Sequence, residues 1–299
     1  MVKRPLEKLI GSFYVITLIC IFLIKYIKTL NCLLKYGKNY ENPQSKSTII
    51  NYLTSITVPK RWFLHFYIVY FGCCFSTGCF LELVQRDSRL NSVITTFITS
   101  WLPASLESAP ANYKHYKLIF YLLCFQSFRR LLESMYITKF SSKAKINVFH
   151  YIMGLAFYTT ISLNCFLSLL PYHLNTAIIP VNDAFDLTDK ILITLFIWLS
   201  IDQFQNHYHL STLPKYSVPK FGMFQLVGSA HYLDEIILYL IVAMIGNLHE
   251  KLSIIDINYI LGWAFVAVNL SISSLESYSY YKAKFPEFTV KYSIIPGIL

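Results

Sequence analysis

Seven stretches of this chain, roughly residues 9–30, 63–84, 117–138, 147–171, 191–210, 231–248 and 255–276, are predominantly apolar and close to one length. A helix of about 20 apolar residues is what crosses the roughly 30 Å hydrocarbon core of a bilayer, and that length sets the fold class. The chain reads as an all-α integral membrane protein with about seven transmembrane helices. Composition agrees: 55% of residues are hydrophobic, 17% aromatic and only 14% charged, far from the balance of a soluble domain.

Residues 90–103 are too short and too rich in Ser and Thr for an eighth span and read as an interfacial segment. Span 117–138 is the most interrupted, because Arg129, Arg130 and Glu133 fall in its second half. Either that half faces the bundle interior or it ends at the interface, where long arginine stems snorkel.

Lysine is concentrated in loops one, three and five and in the C-terminal tail, including Lys60, Lys139, Lys143, Lys145, Lys215, Lys220 and Lys284. The positive-inside rule then places the C terminus in the cytosol and the N terminus across the membrane, against the pull of the short cluster Lys3, Arg4 and Lys8. The same bias accounts for most of the net charge of +10, so no nucleic-acid partner is required. The seven cysteines lack ligand spacing and read as small buried hydrophobes, with no disulfide or metal assigned. The first apolar run lacks a small-residue cleavage site and is expected to stay as the first helix. No two of the ten glycines are spaced GxG, so a dinucleotide fingerprint or Walker loop is missing, and a nucleotide would have to bind between helices.

The function should be sought in the polar groups set inside the last spans. An ionisable group at bilayer depth costs about 3 kcal/mol on insertion scales, so several together point to a site. Gln203 and His207 are four apart and share one helix face, in a turn crowded by Asp202, Gln205, Asn206 and His209. His231 and Glu235 repeat the spacing at a helix start, where a capping and salt-bridging pair is an equal alternative to a ligand pair. Between them, Pro214 and Pro219 stiffen the loop and Gly222 permits a turn, while Tyr216 is either a base-stacking ring or an ordinary interface anchor. Ser277 and Tyr281 form a third such pair near the end of the last span.

The block VPKFGMFQLVGSAHYLDEI resembles the signature loop and helix start of the steroid 5α-reductase family of membrane NADPH-dependent reductases. The ending YYKAKFPEFTVKYSIIPGIL is similar to that family's cytosolic tail, and LLKYGKNY, VPKRWFLHFYIVYF and FQSFRRLLESMYITKFS extend the likeness over most of the chain. Within the family the likeness is greatest to the polyprenol reductase subgroup. The resemblance implies one transmembrane reductase domain over 1–299, with the substrate side in 1–110 and a cofactor-binding region in 111–299. It also implies a bundle enclosing NADPH, with a lipid-open cavity for the substrate. Carried over by position, Arg130, Gln203, His207, Tyr216, His231, Glu235, Ser277 and Tyr281 fall on cofactor-site positions. Ser277 stands where steroid-reducing members have a histidine, and Gln203 and His207 replace their Asn and Asp. The family's steroid-contacting glutamate lacks a clear counterpart near Tyr52, and its active-site tyrosine is replaced by Ser127, leaving Tyr52 and Ser127 as candidate catalytic positions.

Hydride adds readily to an alkene only when a conjugated carbonyl can take up the developing negative charge. An isolated allylic alcohol has no such sink, whereas the α-isoprene double bond of a polyprenal does. The expected reaction is hydride transfer to the β-carbon and protonation at the α-carbon of a polyisoprenoid lipid. That places the chain in the endoplasmic reticulum membrane, supplying dolichol for protein N-glycosylation, with no nucleic-acid partner. A 3-oxo-steroid or enoyl-lipid reductase, a membrane methyltransferase and a lipid-binding scaffold remain as alternatives at this point.

Overall fold

A computed structural model describes residues 5–27, 48–99, 113–141, 144–174, 184–214, 217–248 and 252–298. Tyr216, Cys32, Lys143, Lys215 and most of the first loop lie outside the described residues. Long helices coincide with the seven expected stretches. They are α1 (Pro5–Tyr26), α3 (Phe63–Arg86), α5 (Tyr113–Leu132), α6 (Val148–Leu174), α7 (Leu187–Thr212), α8 (Ala230–Gly246) and α9 (Ile254–Lys284). Two short helices, α2 (Thr48–Ser55) and α4 (Ser88–Thr99), complete the helical set among the described residues. α4 covers most of the segment expected at the interface.

Four segments are long and apolar enough to cross a membrane by composition alone: Leu6–Tyr26, Lys60–Arg86, Val148–Leu174 and Ile254–Lys284. The other three fall short for physical reasons. α8 has only 17 residues, and α5 and α7 carry the charged and amide side chains that form the site described below.

The long helices alternate in direction. α1 and α9 run parallel, because the Asn258 amide donates to the Glu7 carbonyl at 3.0 Å while Lys25 pairs with Glu276 at 2.9 Å, some 18 residues further along both helices. α3 packs along α6, and α8 lies between α7 and α9. The shared core is rich in rings: Phe157 stacks on Phe265 at 5.1 Å, and Tyr14, fully buried, meets both.

A two-stranded antiparallel ribbon was not expected. β1 (Thr57–Pro59) pairs with β2 (Lys145–Asn147), Val58 opposite Ile146. Each strand has three residues, too few for alternation to register in a sequence, yet the ribbon ties together the starts of α3 and α6. Two of the helices that begin at the opposite end carry complete capping boxes. Asp186 and Asp189 cap α7, and Ser253 and Asp256 cap α9, each side chain accepting the other residue's backbone N–H.

Candidate active site

The ribbon end of the bundle gathers a cluster of ionisable groups from α5, α7 and α8. α5 widens after Leu132 into a π-turn over Glu133–Ile137, with the Thr138 amide reaching back five residues to the Glu133 carbonyl at 2.9 Å. Such turns insert one residue into the helical repeat and are common at functional sites. Here the turn leaves Glu133 and Ser134 buried at the helix end, facing the interior.

Glu133, 1% exposed, is the hub. One carboxylate oxygen accepts from Arg129; the other accepts from Arg130 and lies 2.7 Å from His207 Nδ1. The arginines therefore point inward, with side chains 11% and 14% exposed, so the first of the two arrangements open for this half-span is the one adopted. His207 Nδ1 also lies 2.7 Å from Arg130 Nη1, and it can donate to Glu133 or accept from Arg130 but not both at once. Arg130 donates through Nη2 to the Tyr67 hydroxyl at 2.5 Å and stacks over that ring at 4.7 Å.

Gln203 links this hub to α8. Its carbonyl accepts from Arg129, and its amide donates to the His231 carbonyl at 3.1 Å and to the Glu235 carboxylate. A carboxamide suits the position because it bridges a cation and an anion, offering an acceptor to one and donors to the other. Gln126 reaches the same two partners, accepting from Arg129 at 2.7 Å and donating to Glu235 at 3.4 Å. The His207 and His231 rings meet edge to face at 5.6 Å. Behind them Asn206, fully buried, donates to Asp234 at 2.7 Å and to Asp202 at 3.2 Å, holding α7 and α8 together.

A cavity of about 560 Å³ opens beside this network, a size ordinary for small-molecule sites. One wall is polar, with Arg130, Ser134, Gln203, His207, His231 and Glu235. The wall from α3, α6 and α9 is mostly apolar, with Phe63, Phe66, Met153, Phe157, Phe265 and Leu270. Tyr67, Tyr158 and Tyr239 also line the cavity and bring three phenols to it. On the polar wall the Ser134 hydroxyl and Arg130 Nε are buried with no hydrogen-bond partner among the described residues. A cationic and amide-bearing wall fits a ligand rich in phosphate and amide acceptors.

The residues carried over from the resemblance divide into three groups. Arg130, Gln203, His207, His231, Glu235 and Tyr281 line this single cavity. Tyr216 is outside the described residues, although Pro214 and Ser217 on either side of it line the cavity. Ser277, Ser127 and Tyr52 are elsewhere. Ser277 is half-buried one turn before Tyr281 on α9, outside the lining. Ser127, fully buried, donates to the Cys124 carbonyl at 2.8 Å, and Tyr52 is 66% exposed on α2.

Arg129, Glu133 and Tyr67 belong to the network without having been singled out as site residues. The Arg129–Arg130–Glu133 cluster read as an interruption of a span, and its i,i+3 and i,i+4 spacing was the available signal.

The family described as 3-oxo-5-alpha-steroid 4-dehydrogenase matches residues 144–299, which include α6 through the C-terminal tail and hence Gln203, His207, His231, Glu235 and Tyr281. The chain belongs to this steroid 5α-reductase family. It is 30% identical to a polyprenal reductase of Saccharomyces cerevisiae over 89% of its own length and 85% of that protein's. It is also similar to polyprenal reductases of Rattus norvegicus, 24% identical over 86% of this chain and 82% of the relative, and of Homo sapiens, 26% identical over 86% and 81%. Membership makes the chain an oxidoreductase acting on a CH–CH group.

Proposed function

We propose that this protein reduces the α-isoprene double bond of a polyprenal, with NADPH as reductant, and so forms the saturated unit of dolichol. The observation that carries the reading is a cavity with one ionic wall and one aromatic wall, in a chain similar over most of its length to polyprenal reductases. The location we assign is the endoplasmic reticulum membrane, with the C terminus in the cytosol and dolichol supply for N-glycosylation as the role.

The residues divide the task by chemistry. Arg130, Gln203, His207, His231, Glu235 and Tyr281 would hold the dinucleotide, together with the unpartnered Ser134 hydroxyl. Tyr216 would supply a stacking face, and Ser277 would support Tyr281 from the preceding turn. NADPH supplies a hydride to the β-carbon when bound. The surrounding residues must then exclude water, offer a donor to the aldehyde oxygen as it gains negative charge, and deliver a proton to the α-carbon.

Tyr67 is the group we assign to that proton. Its oxygen already accepts from Arg130, so its own O–H is left to point elsewhere, and the guanidinium steadies the phenolate that remains after transfer. This assignment replaces the earlier candidates: Ser127 is engaged with Cys124 behind the cavity wall, and Tyr52 faces outward.

Purified protein in detergent should oxidise NADPH when given a polyprenal, and cells lacking the protein should accumulate unsaturated polyprenoids relative to dolichols. An unchanged polyprenoid-to-dolichol ratio would refute the substrate. A direct titration in which S-adenosylmethionine binds better than NADPH would refute the cofactor.

A further inference from the structure

The apolar wall contains one contact closer than any side chain would permit. At Gly154, two turns into α6, an added Cβ would lie 2.7 Å from Phe66 Cζ and within 3.0 Å of two further ring atoms. Real Cβ atoms do not approach that closely, so the Phe66 ring rests against bare α6 backbone. Both residues line the cavity.

The ring has little freedom to retreat. Phe66 is 8% exposed and is boxed by Phe63 at 5.0 Å, Tyr151 at 5.5 Å and Tyr158 at 6.4 Å between centroids. Phe63 and Tyr158 share the cavity lining with Phe66, and Tyr151 stacks on it from outside the lining, which leaves the lumen as the open side. A ring pushed off Gly154 must therefore swing into the cavity. In effect the glycine draws the ring aside and keeps the apolar arm wide where α3 and α6 converge.

The mostly apolar wall is the one suited to the hydrocarbon of the substrate. We infer that the Gly154–Phe66 contact sets how much isoprenoid chain this site accepts, and that the pair is a specificity determinant rather than a part of the reducing machinery. The inference rests on the proposed reduction of a polyisoprenoid aldehyde. A short aldehyde engages the ionic wall and the phenols without filling the arm, whereas a long one must pass the ring.

The test compares citral, which carries one isoprene unit beyond the reacting one, with a long-chain polyprenal. In Gly154→Ala the ratio of kcat/KM for the long aldehyde to that for citral should fall about tenfold, the scale on which hydrophobic pockets discriminate by size. Citral reduction itself should stay within about twofold. Trimming the ring in Gly154→Ala/Phe66→Leu should restore the ratio, a recovery that general damage to the bundle would not give. Should Gly154→Ala fail to accumulate, Phe66→Trp reaches the same end from α3, since the larger ring again has only the lumen to enter. A ratio unchanged in both Gly154→Ala and Phe66→Trp, or parallel losses on the two aldehydes, overturns the inference while the function stands. Wild-type protein that reduces neither aldehyde takes down the function and the inference together.

Discussion

The bundle buries an ionic cluster at each end, and the two clusters are built on different plans. At the far end, Asp189 is fully buried and accepts from the Asp186 amide at 3.1 Å and from Lys114 at 2.6 Å, with His115 at 3.1 Å. Asp256 accepts from the Ser253 amide at 2.8 Å and hydroxyl at 2.7 Å and from the Tyr116 hydroxyl at 2.8 Å. Each carboxylate closes a helix start through a capping box and is tied as well to side chains at the start of α5, Lys114 and His115 for Asp189 and Tyr116 for Asp256. At the ribbon end, Glu133, Gln203 and Glu235 close no helix. They join α5, α7 and α8 side chain to side chain around a cavity. Burial and charge alone therefore do not identify a site in a membrane bundle. What distinguishes the ribbon end is a network that caps no helix and whose side chains line a cavity.

Substitutions can break this contrast, beginning at the hub. Glu133→Ala leaves two inward guanidiniums without their main counter-ion, which should cost about 3 kcal/mol or more, and folded yield in detergent should collapse. Normal yield with full activity would mean that the hub is not electrostatic. Tyr67→Phe keeps the ring under Arg130 but removes the proton. It should leave thermal stability nearly unchanged while lowering polyprenal turnover by a factor on the order of 100, the lower range for loss of a general acid.

His231→Ala, Glu235→Ala and His207→Ala should lower turnover by a similar factor, because displacing a reacting group by about 1 Å carries a penalty of that size. Cys79→Ala, at an exposed position on α3, serves as the active control. Full polyprenal reduction by the His207 and Glu235 variants at normal protein levels would make those groups structural. At the far end the expectation reverses: Ser253→Ala should lower stability by about 1 kcal/mol, as for other lost caps, with turnover retained.

Acid gives the mildest probe. Burial on its own would raise the Asp189 pKa, but the Lys114 ammonium, the Asp186 amide and His115 outweigh it and hold the carboxyl below its ordinary value. A carboxyl depressed in the fold contributes stability above its unfolded pKa of about 4 and loses that contribution as pH falls through the lower native value. The melting temperature should therefore fall on acidification below about pH 4, and by less in Asp189→Asn, which no longer titrates.

Much of the site could be read from spacing within one helix. Gln203 with His207, and His231 with Glu235, each mark a polar face at i,i+4, and each face does turn to the cavity. Spacing does not reveal what lies opposite. Arg129 meets Gln203 across 74 residues and Arg130 meets Tyr67 across 63, so the role of Glu133 became legible only when α5 was placed against α7. The same limit explains Ser127. Its position matches a family site, and spacing does not show that its hydroxyl donates to the Cys124 carbonyl of its own helix. The seven long helices followed from apolar length, whereas the three-residue strands were below the resolution of any periodicity.

The π-turn at the end of α5 gives the chain a counting constraint. With one more residue per turn than its surroundings, the stretch Glu133–Ile137 holds a phase offset between the arginines before it and the cavity-lining Thr138 and Lys139 after it. Inserting a residue there beyond the one the wide turn already absorbs would rotate one side of the junction against the other by about 100°. The composition of the segment would barely change, yet Ser134 and Thr138 could no longer share a wall with Arg130. Substitutions at Met135 and Tyr136, which are exposed, should be well tolerated, while an inserted residue is not.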